Sequence, residues 1–251
     1  MPFLADAAGP GDMRLYAIGD IHGRLDLLRE MHARVAADLV RRPCRRFRVI
    51  HLGDYIDRGP DSAGVVEHLI EFNRDGDGVC LAGNHDLYLL RFLDDPSNVG
   101  PTWLDNGGDA ALASWGIDVL GPDLRKSTMR AIRDAFAAVL PLRHRTFFEQ
   151  LSFSERHGDF LFVHAGIRPG APLDRQKTAD LTFIRQPFLD SEADHGVVVV
   201  HGHTATNTPT IRPNRIGIDT RAYASGVLTC LVIDGSEKGF LGPDGVAPLA
   251  F

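Results

Sequence analysis

Cysteine is scarce in this chain. Cys44, Cys80 and Cys230 form no C-x-x-C pair and leave an odd residue over, so a disulfide framework is not expected and a reducing compartment, the cytoplasm, is. An excess of positive charge is lacking too. With 27 Lys and Arg against 33 Asp and Glu, the net charge of -6 argues against general affinity for nucleic-acid backbones, and Arg41-Arg42-Pro43-Cys44-Arg45-Arg46 reads as a solvated helix end. No apolar run approaches the roughly 20 residues that a membrane-spanning helix needs. Met1 to Met13 has neither a basic stretch nor a long apolar one, and it reads as a short flexible tail, not a targeting signal. Internal repeats and low-complexity segments are also missing.

What is present is an ordinary globular composition, 44% hydrophobic and 24% charged, at a length of 251 residues that suits one α/β domain, here residues 14–251. The chain is organised around Gly53-Asp54-Tyr55-Ile56-Asp57-Arg58-Gly59, which ends the apolar run Phe47 to Leu52. A strand that stops at Gly-Asp and turns through Asp-Arg-Gly leaves two carboxylates and a guanidinium at one sheet edge, where open α/β folds place their ligands. Related strings recur at Gly19-Asp20-Ile21-His22-Gly23, Gly83-Asn84-His85-Asp86, Val163-His164-Ala165-Gly166 and His201-Gly202-His203-Thr204, most of them closing a short apolar run.

Patterning predicts strands at Arg14 to Ile18, Phe47 to Leu52, Val79 to Ala82, Phe160 to Val163, Val197 to Val200, Ile216 to Ile218 and Val227 to Ile233, the last two close enough in sequence to pair antiparallel. Helices are expected over Leu25 to Leu39, from Asp61 or Ser62 to about Asn73, over Asp86 to Leu93 and over Ser127 to Val139. The motif spacing breaks over residues 94–150, which read as a helical insertion, a lid or flank within the same domain. Early βαβ units followed by a strand-rich half imply mixed β-sheets flanked by helices.

Asp20, His22, Asp54, Asn84, His164 and His203 supply too many oxygen and nitrogen donors for one ion and a sensible number for two. These donors suit two divalent metal ions such as Mn, Fe or Zn, with the central Asp54 as the natural bridge. A metal pair of this kind clamps a phosphoryl group and activates a water. Spacing alone leaves two candidates for the last ligand, because His201 and His203 should share one strand face. His32, His51, His68, His144, His157 and His195 fit no motif and read as ordinary histidines.

Five ordered motifs from Gly19 to Thr204 make the chain resemble the phosphoprotein phosphatase family of calcineurin-like metallophosphoesterases, whose signature reads GDxHG, GDxxDRG, GNH(E/D), a later metal histidine and GH(T). The resemblance implies an α/β sandwich with Asp20 and His22 on a first metal and Asp54 as the bridge. It assigns Asn84, His164 and His203 to a second metal, and favours His203 over His201. It also implies His85 as general acid, which Asp57 would orient and keep charged, and Arg58 as a bidentate phosphate contact. Arg185, in Phe183-Ile184-Arg185-Gln186-Pro187-Phe188-Leu189, resembles a second phosphate arginine of bacterial members. Asp86 stands where many protein phosphatases have Glu, and it equally suits a helix cap. After Ile218-Asp219-Thr220 the relatives continue Gly-Ala, where this chain has Arg221-Ala222, a cation that either narrows the pocket or adds a phosphate contact.

The implied activity is metal-dependent hydrolysis of phosphoserine or phosphothreonine in proteins, with phosphotyrosine and small phosphomonoesters as further substrates. Its rival is symmetrical diadenosine tetraphosphate hydrolysis, because Gly83 to Leu87 and His164 to Ile167 resemble those enzymes. They typically lack the Asp at position 57 and the Thr at 204, both present here, which favours the phosphatase. An inactive binding scaffold is the remaining reading, against which the intact ligand set, His85 and Arg58 all argue.

Overall fold

Apolar residues on both faces of successive strands require each sheet to be covered twice, once by the other sheet and once by helices. In the computed structural model, which describes residues 3–119 and 128–249, β1 (Met13–Ile18), α1 (Leu25–Arg41), β2 (Arg46–His51), α2 (Ser62–Phe72) and β3 (Gly78–Cys80) form a parallel βαβαβ unit, followed by α3 (Asn84–Asp94). Then come α4 (Pro96–Trp103), a π-helical turn over Leu104–Gly108, α5 (Asp109–Ser114), α6 (Met129–Val139) and α7 (Leu142–Glu149). The second half contains β4 (Ser154–His157), β5 (Phe160–Val163), α8 (Thr178–Phe183), β6 (Val198–His201), β7 (Thr210–Arg212), β8 (Arg215–Gly217), α9 (Ala222–Ser225), β9 (Cys230–Asp234), β10 (Glu237–Gly242) and β11 (Gly245–Pro248).

Two mixed sheets result, ordered β11-β10-β9-β1-β2-β3 and β4-β5-β6-β8-β7. Period-2 alternation sorts the side chains. Leu15, Ala17, Ile50, Phe160, Phe162, Val198, Val200 and Ile216 meet between the sheets. Tyr16, Ile18 and Val49 pack outward against α1, α2 and the helical segment, while Leu161, Val163 and Val199 pack with Leu181, Ile184 and Phe188. The helical segment after α3 is a flank: Trp103, Leu112, Ile132, Phe136 and Phe148 are buried in the same cluster as α1 and α2.

Three expectations need correction. The strands near Ile216 and Val227 do not pair with each other: β8 joins β6 in parallel, whereas β9 crosses to the other sheet and pairs antiparallel with β1, Ile18 opposite Cys230. Short sequence distance is outweighed by the parallel slot beside β6 and the open edge of β1. The amino-terminal segment is not a free tail over its described length. Leu4 and Ala7 are buried between the sheets, the Leu4 N–H donates to the Pro213 carbonyl at 2.7 Å, and Lys238 Nζ donates to the Leu4 carbonyl at 2.9 Å. The helix expected from Asp86 begins at Asn84, which puts Asn84 and His85 on the first turn of α3. Ser127, the first residue of another expected helix, lies outside the described residues, and α6 starts at Met129 behind a Thr128 cap.

Candidate active site

The five motifs follow β1, β2, β3, β5 and β6 in turn, so every one leaves the carboxyl end of a parallel strand at the same edge of the sandwich. To turn side chains inward there, the backbone leaves its ordinary range. Among the described residues six non-glycines have left-handed φ: His22, Asp54, Asp57, Arg58 and His203 lie in the motifs, and Arg221 follows Asp219. Each such residue costs on the order of 1–3 kcal/mol and persists only where its surroundings dictate it. Close packing of the loops adds a demand for glycine. A Cβ on Gly83 would lie 2.1 Å from Asp54 Oδ1, and one on Gly202 would lie 2.0 Å from Asp20 Oδ1.

Asp54 is the hub. Two histidine and carboxylate groups, His22–Asp54–His85 and Asp54–His164–His203, each bring their ligand atoms within 4.8 Å of one another and share this residue. Asp54 Oδ2 lies 3.6 Å from His22 Nε2, 3.4 Å from His164 Nε2 and 4.0 Å from His85 Nε2. The expected ligand Asn84 joins the second group, its Oδ1 being 3.0 Å from His164 Nε2 and 2.7 Å from His203 Nδ1. Asp20 stands in neither group; its carboxylate accepts the His203 N–H at 3.2 Å, and its charge is felt with those of Asp54 and Asp219. Asp86 is a brace, accepting N–H groups from Gly83, Asp54 and Tyr55 at 2.8, 2.8 and 3.0 Å and so tying the second motif to the third.

This donor set fits divalent cations. His22 Nδ1–H donates to the Ile56 carbonyl at 2.8 Å and His164 Nδ1–H to that of Leu52 at 2.9 Å, which leaves both Nε2 lone pairs facing Asp54. His203 presents Nδ1 to the same space, 2.7 Å from Asn84 Oδ1. Burial first, then the neighbouring carboxylates, push Asp20 well above its usual range and Asp219 upward, while burial drives His22 and His203 down to about 3. Buried carboxylates and neutral imidazoles with converging lone pairs are the condition that a bound cation relieves.

Beside this hub stands a dyad. His85 Nδ1–H donates to Asp57 Oδ2 at 2.5 Å, and both side chains are buried. Burial pushes Asp57 up to about 6 against the pull of His85 and of the Trp103 indole. For His85, burial is outweighed by the carboxylates of Asp54 and Asp57, and its pKa rises. Arg58 spans the opening, with Nη1 3.0 Å from His22 Nε2, Nη2 3.2 Å from His85 Nε2, and its guanidinium over the Tyr223 ring at 4.7 Å. Arg185 is exposed on the rim, near enough to depress His203 by its charge.

His201 turns away from the hub, its ring edge-on to Phe188 at 5.2 Å. Two residues apart on a strand would share a face, but β6 ends at His201 and the left-handed φ of 60° at His203 breaks the alternation. Of the six histidines outside the motifs, three make a chain. His51 Nδ1–H donates to the Val79 carbonyl at 3.2 Å, His32 bridges to His51 at 2.9 Å and to His68 at 3.0 Å, and Phe72 stacks on His32 at 3.9 Å.

Trp103, Tyr223 and Asp219 also belong to the site and went unnoticed in the sequence. Trp103 Nε1 lies 3.0 Å from both carboxylate oxygens of Asp57. The one signal for it was Trp103-Leu104-Asp105-Asn106-Gly107-Gly108 inside a segment otherwise of plain helical character. Asp219 shows only as the residue before Thr220-Arg221, with its Oδ1 accepting the Arg221 N–H at 2.9 Å.

A two-sheet sandwich with an aspartate and histidine hub at its strand ends defines a metal-dependent hydrolase of phosphoesters. The chain belongs to the calcineurin-like phosphoesterase family, whose model matches residues 13–226. It is 30% identical over 164 residues to a symmetrical bis(5'-nucleosyl)-tetraphosphatase of Nitrosomonas europaea, covering 65% of this chain and 48% of that protein. It is 22% identical to the asymmetrical bis(5'-nucleosyl)-tetraphosphatase PrpE of Oceanobacillus iheyensis, covering 86% and 87%. The chain thus spans about half the length of the first of these relatives. Two solved structures share the fold: one provisionally described as a diadenosine tetraphosphatase (TM-score 0.63, 22% identity, 99% of this chain and 96% of that one), and a cold-active protein-tyrosine phosphatase of a Shewanella species (0.60, 15%, 95% and 82%).

Proposed function

We propose that this protein hydrolyses phosphomonoesters, phosphoserine and phosphothreonine in proteins foremost, with two divalent ions, manganese by preference. The observation that carries the reading is the His85–Asp57 contact of 2.5 Å beside the Asp54 hub, a buried imidazole held by a carboxylate at the edge of the ligand cluster. Asp20, His22 and Asp54 would hold one ion, and Asp54, Asn84, His164 and His203 the other. When bound, the pair polarises the phosphoryl group and supplies a water acidic enough to attack it.

The chain's own residues do the rest. His85 gives its Nε2 proton to the departing oxygen and becomes neutral, while Asp57 keeps the ring oriented through Nδ1–H. Arg58 exchanges its two imidazole contacts for two phosphoryl oxygens, and its cation on the Tyr223 face stays in place through that exchange. Arg185 adds positive charge from the rim.

A second reading, dinucleoside polyphosphate hydrolysis, is favoured by the names of the curated relatives and by Arg185 and Arg221, two exposed cations suited to a longer anion. Parallel assays with a phosphoserine peptide, para-nitrophenyl phosphate and diadenosine tetraphosphate in Mn²⁺ separate the readings. Higher kcat/KM on the peptide supports the phosphatase, and a preference for the dinucleotide replaces it with the second reading. Turnover of none of the three leaves a scaffold.

A further inference from the structure

The helical segment after α3 reaches the chemistry at one stretch. Trp103 closes α4, is fully buried, and packs against Phe92 at 4.9 Å and Phe136 at 6.3 Å. Gly108 lies so close beneath it that a Cβ there would stand 2.7 Å from the indole. The ring is thus held in one orientation, with its N–H aimed at Asp57, 3.0 Å from each carboxylate oxygen. Asp57 is itself fully buried, and Oδ2 already serves His85. Among the described residues the indole is the one donor hydrogen-bonded to Oδ1. Four residues on, the Gly107 carbonyl accepts the Arg58 N–H at 3.1 Å, and a Cβ on Gly107, whose φ is 97°, would lie 2.8 Å from Arg58 N. The end of α4 and the kink at Gly107 that follows it therefore hold both Asp57 and Arg58, residues whose left-handed backbones would otherwise relax.

We propose that Trp103 is a positioning residue for the acid dyad. Its indole N–H fixes the plane of the Asp57 carboxylate, and through it the His85 ring, so that Nε2–H points at the leaving oxygen. This inference rests on the reading of His85 as the proton donor given above. Without the indole, Oδ1 is a buried acceptor with no donor, the carboxylate rotates about its terminal torsion, and the imidazole loses its fixed aim. The substrate does not touch Trp103, and the proton His85 delivers comes from its own Nε2, so the effect is confined to leaving groups that need protonation.

Trp103→Phe keeps the ring and removes the N–H. A hydrogen bond to a charged group is worth about 10–100-fold in rate, so in the Mn²⁺-loaded protein kcat on a phosphoserine peptide should fall by that factor. On para-nitrophenyl phosphate, whose anion leaves unaided, it should change by less than about 3-fold. Metal content should match the wild type. The variant W103F/D57N should be no slower than D57N alone, because both remove one function. A second readout does not depend on activity: in the metal-free protein the His85 Nδ1–H gives a low-field proton resonance that W103F broadens by exchange, and D57N moves the Trp103 indole proton upfield. If W103F fails to fold, 3-benzothienylalanine at position 103 replaces the N–H by sulfur at nearly the same shape.

Equal losses on both substrates, additive losses in the double variant, or an undisturbed His85 proton in the variant lacking the N–H would each overturn the positioning role. Failure of the wild type to hydrolyse either phosphomonoester would overturn the functional reading instead, while the two proton resonances would still decide whether the clamp exists.

Discussion

Two clusters of histidines lie within a few residues of each other in this chain. One gathers His22, His85, His164 and His203 around Asp54; the other links His32, His51 and His68, and His51 is only three residues before Asp54. All but the half-buried His68 are buried, and the partners differ. In the first, carboxylates face imidazoles, burial works against charge on both, and lone pairs converge on common space. In the second, none of the three histidines forms an ion pair among the described residues, each ring hands its N–H to the next, and the series ends on the Val79 carbonyl. Burial pushes His32 down to about 2 and His51 to about 4. A neutral chain that satisfies itself is structural, and a cluster whose acceptors outnumber its donors requires a cation. The type of residue is therefore uninformative about function until its partners are known.

The sharpest way to break the contrast is Asp54→Asn. Because one residue serves both histidine groups, the variant should lose both ions together and about 10⁴-fold in turnover, given the several kcal/mol each ion contributes. Metal analysis showing two tightly held ions per chain would refute the shared role. Asn84→Ala, by comparison, should weaken one ion only. Next in size is His85→Asn, expected to lose about 10²–10⁴-fold on phosphoserine with its metals retained, and less on para-nitrophenyl phosphate. Loss of metal along with both activities would make His85 a ligand.

The neutral chain should respond to acid instead. Burial pushes His51 from its ordinary 6.5 down to about 4 in the fold, so the unfolded state binds more protons between those values. Its stabilising contribution is complete above pH 6.5 and is lost as pH falls toward 4, by about 3 kcal/mol. Denaturant titrations across that range should show this loss, and in His51→Gln it should be smaller by His51's share, with His32 and the other buried histidines supplying the rest. A wild-type stability that stays flat from pH 6.5 to 4 would show that the chain carries charge. The smallest effect is that of His68→Asn, which removes the outer bond to His32 and should cost about 1 kcal/mol. Turnover and metal content should stay unchanged, and any drop in either would join the two clusters functionally.

The hub was legible because its ligands sit in short strings, each a strand end followed by glycine and a polar residue. Asp20, Asp54, Asn84 and His164 could be named from such strings without knowing which loops meet. The choice between His201 and His203 was not open to strand parity, since a single left-handed residue reverses it. Trp103 was hidden because its partner is 46 residues away and an indole donor leaves no periodic trace. Strands β4, β7, β10 and β11 were missed because they are short, polar or contain Gly and Pro, and the destination of β9 because a sheet crossing is decided by unoccupied edges elsewhere. Buried Leu4 and Ala7 looked like a tail for a similar reason: two apolar residues make no pattern until there is a surface to receive them.

The left-handed residues set a limit on how this protein can be improved. Arg58, Asp57 and His22 each hold a conformation that glycine adopts freely, so a glycine at any of them relieves local strain while deleting a functional side chain. A selection for heat resistance alone would therefore drift toward inert variants, and would find its least costly gain at Arg221, whose φ of 55° also suits glycine and whose side chain lies outside the hub. Durability and turnover are drawn from the same few torsion angles, and a thermostable descendant that still works must take its extra stability from the sheets or the helical flank.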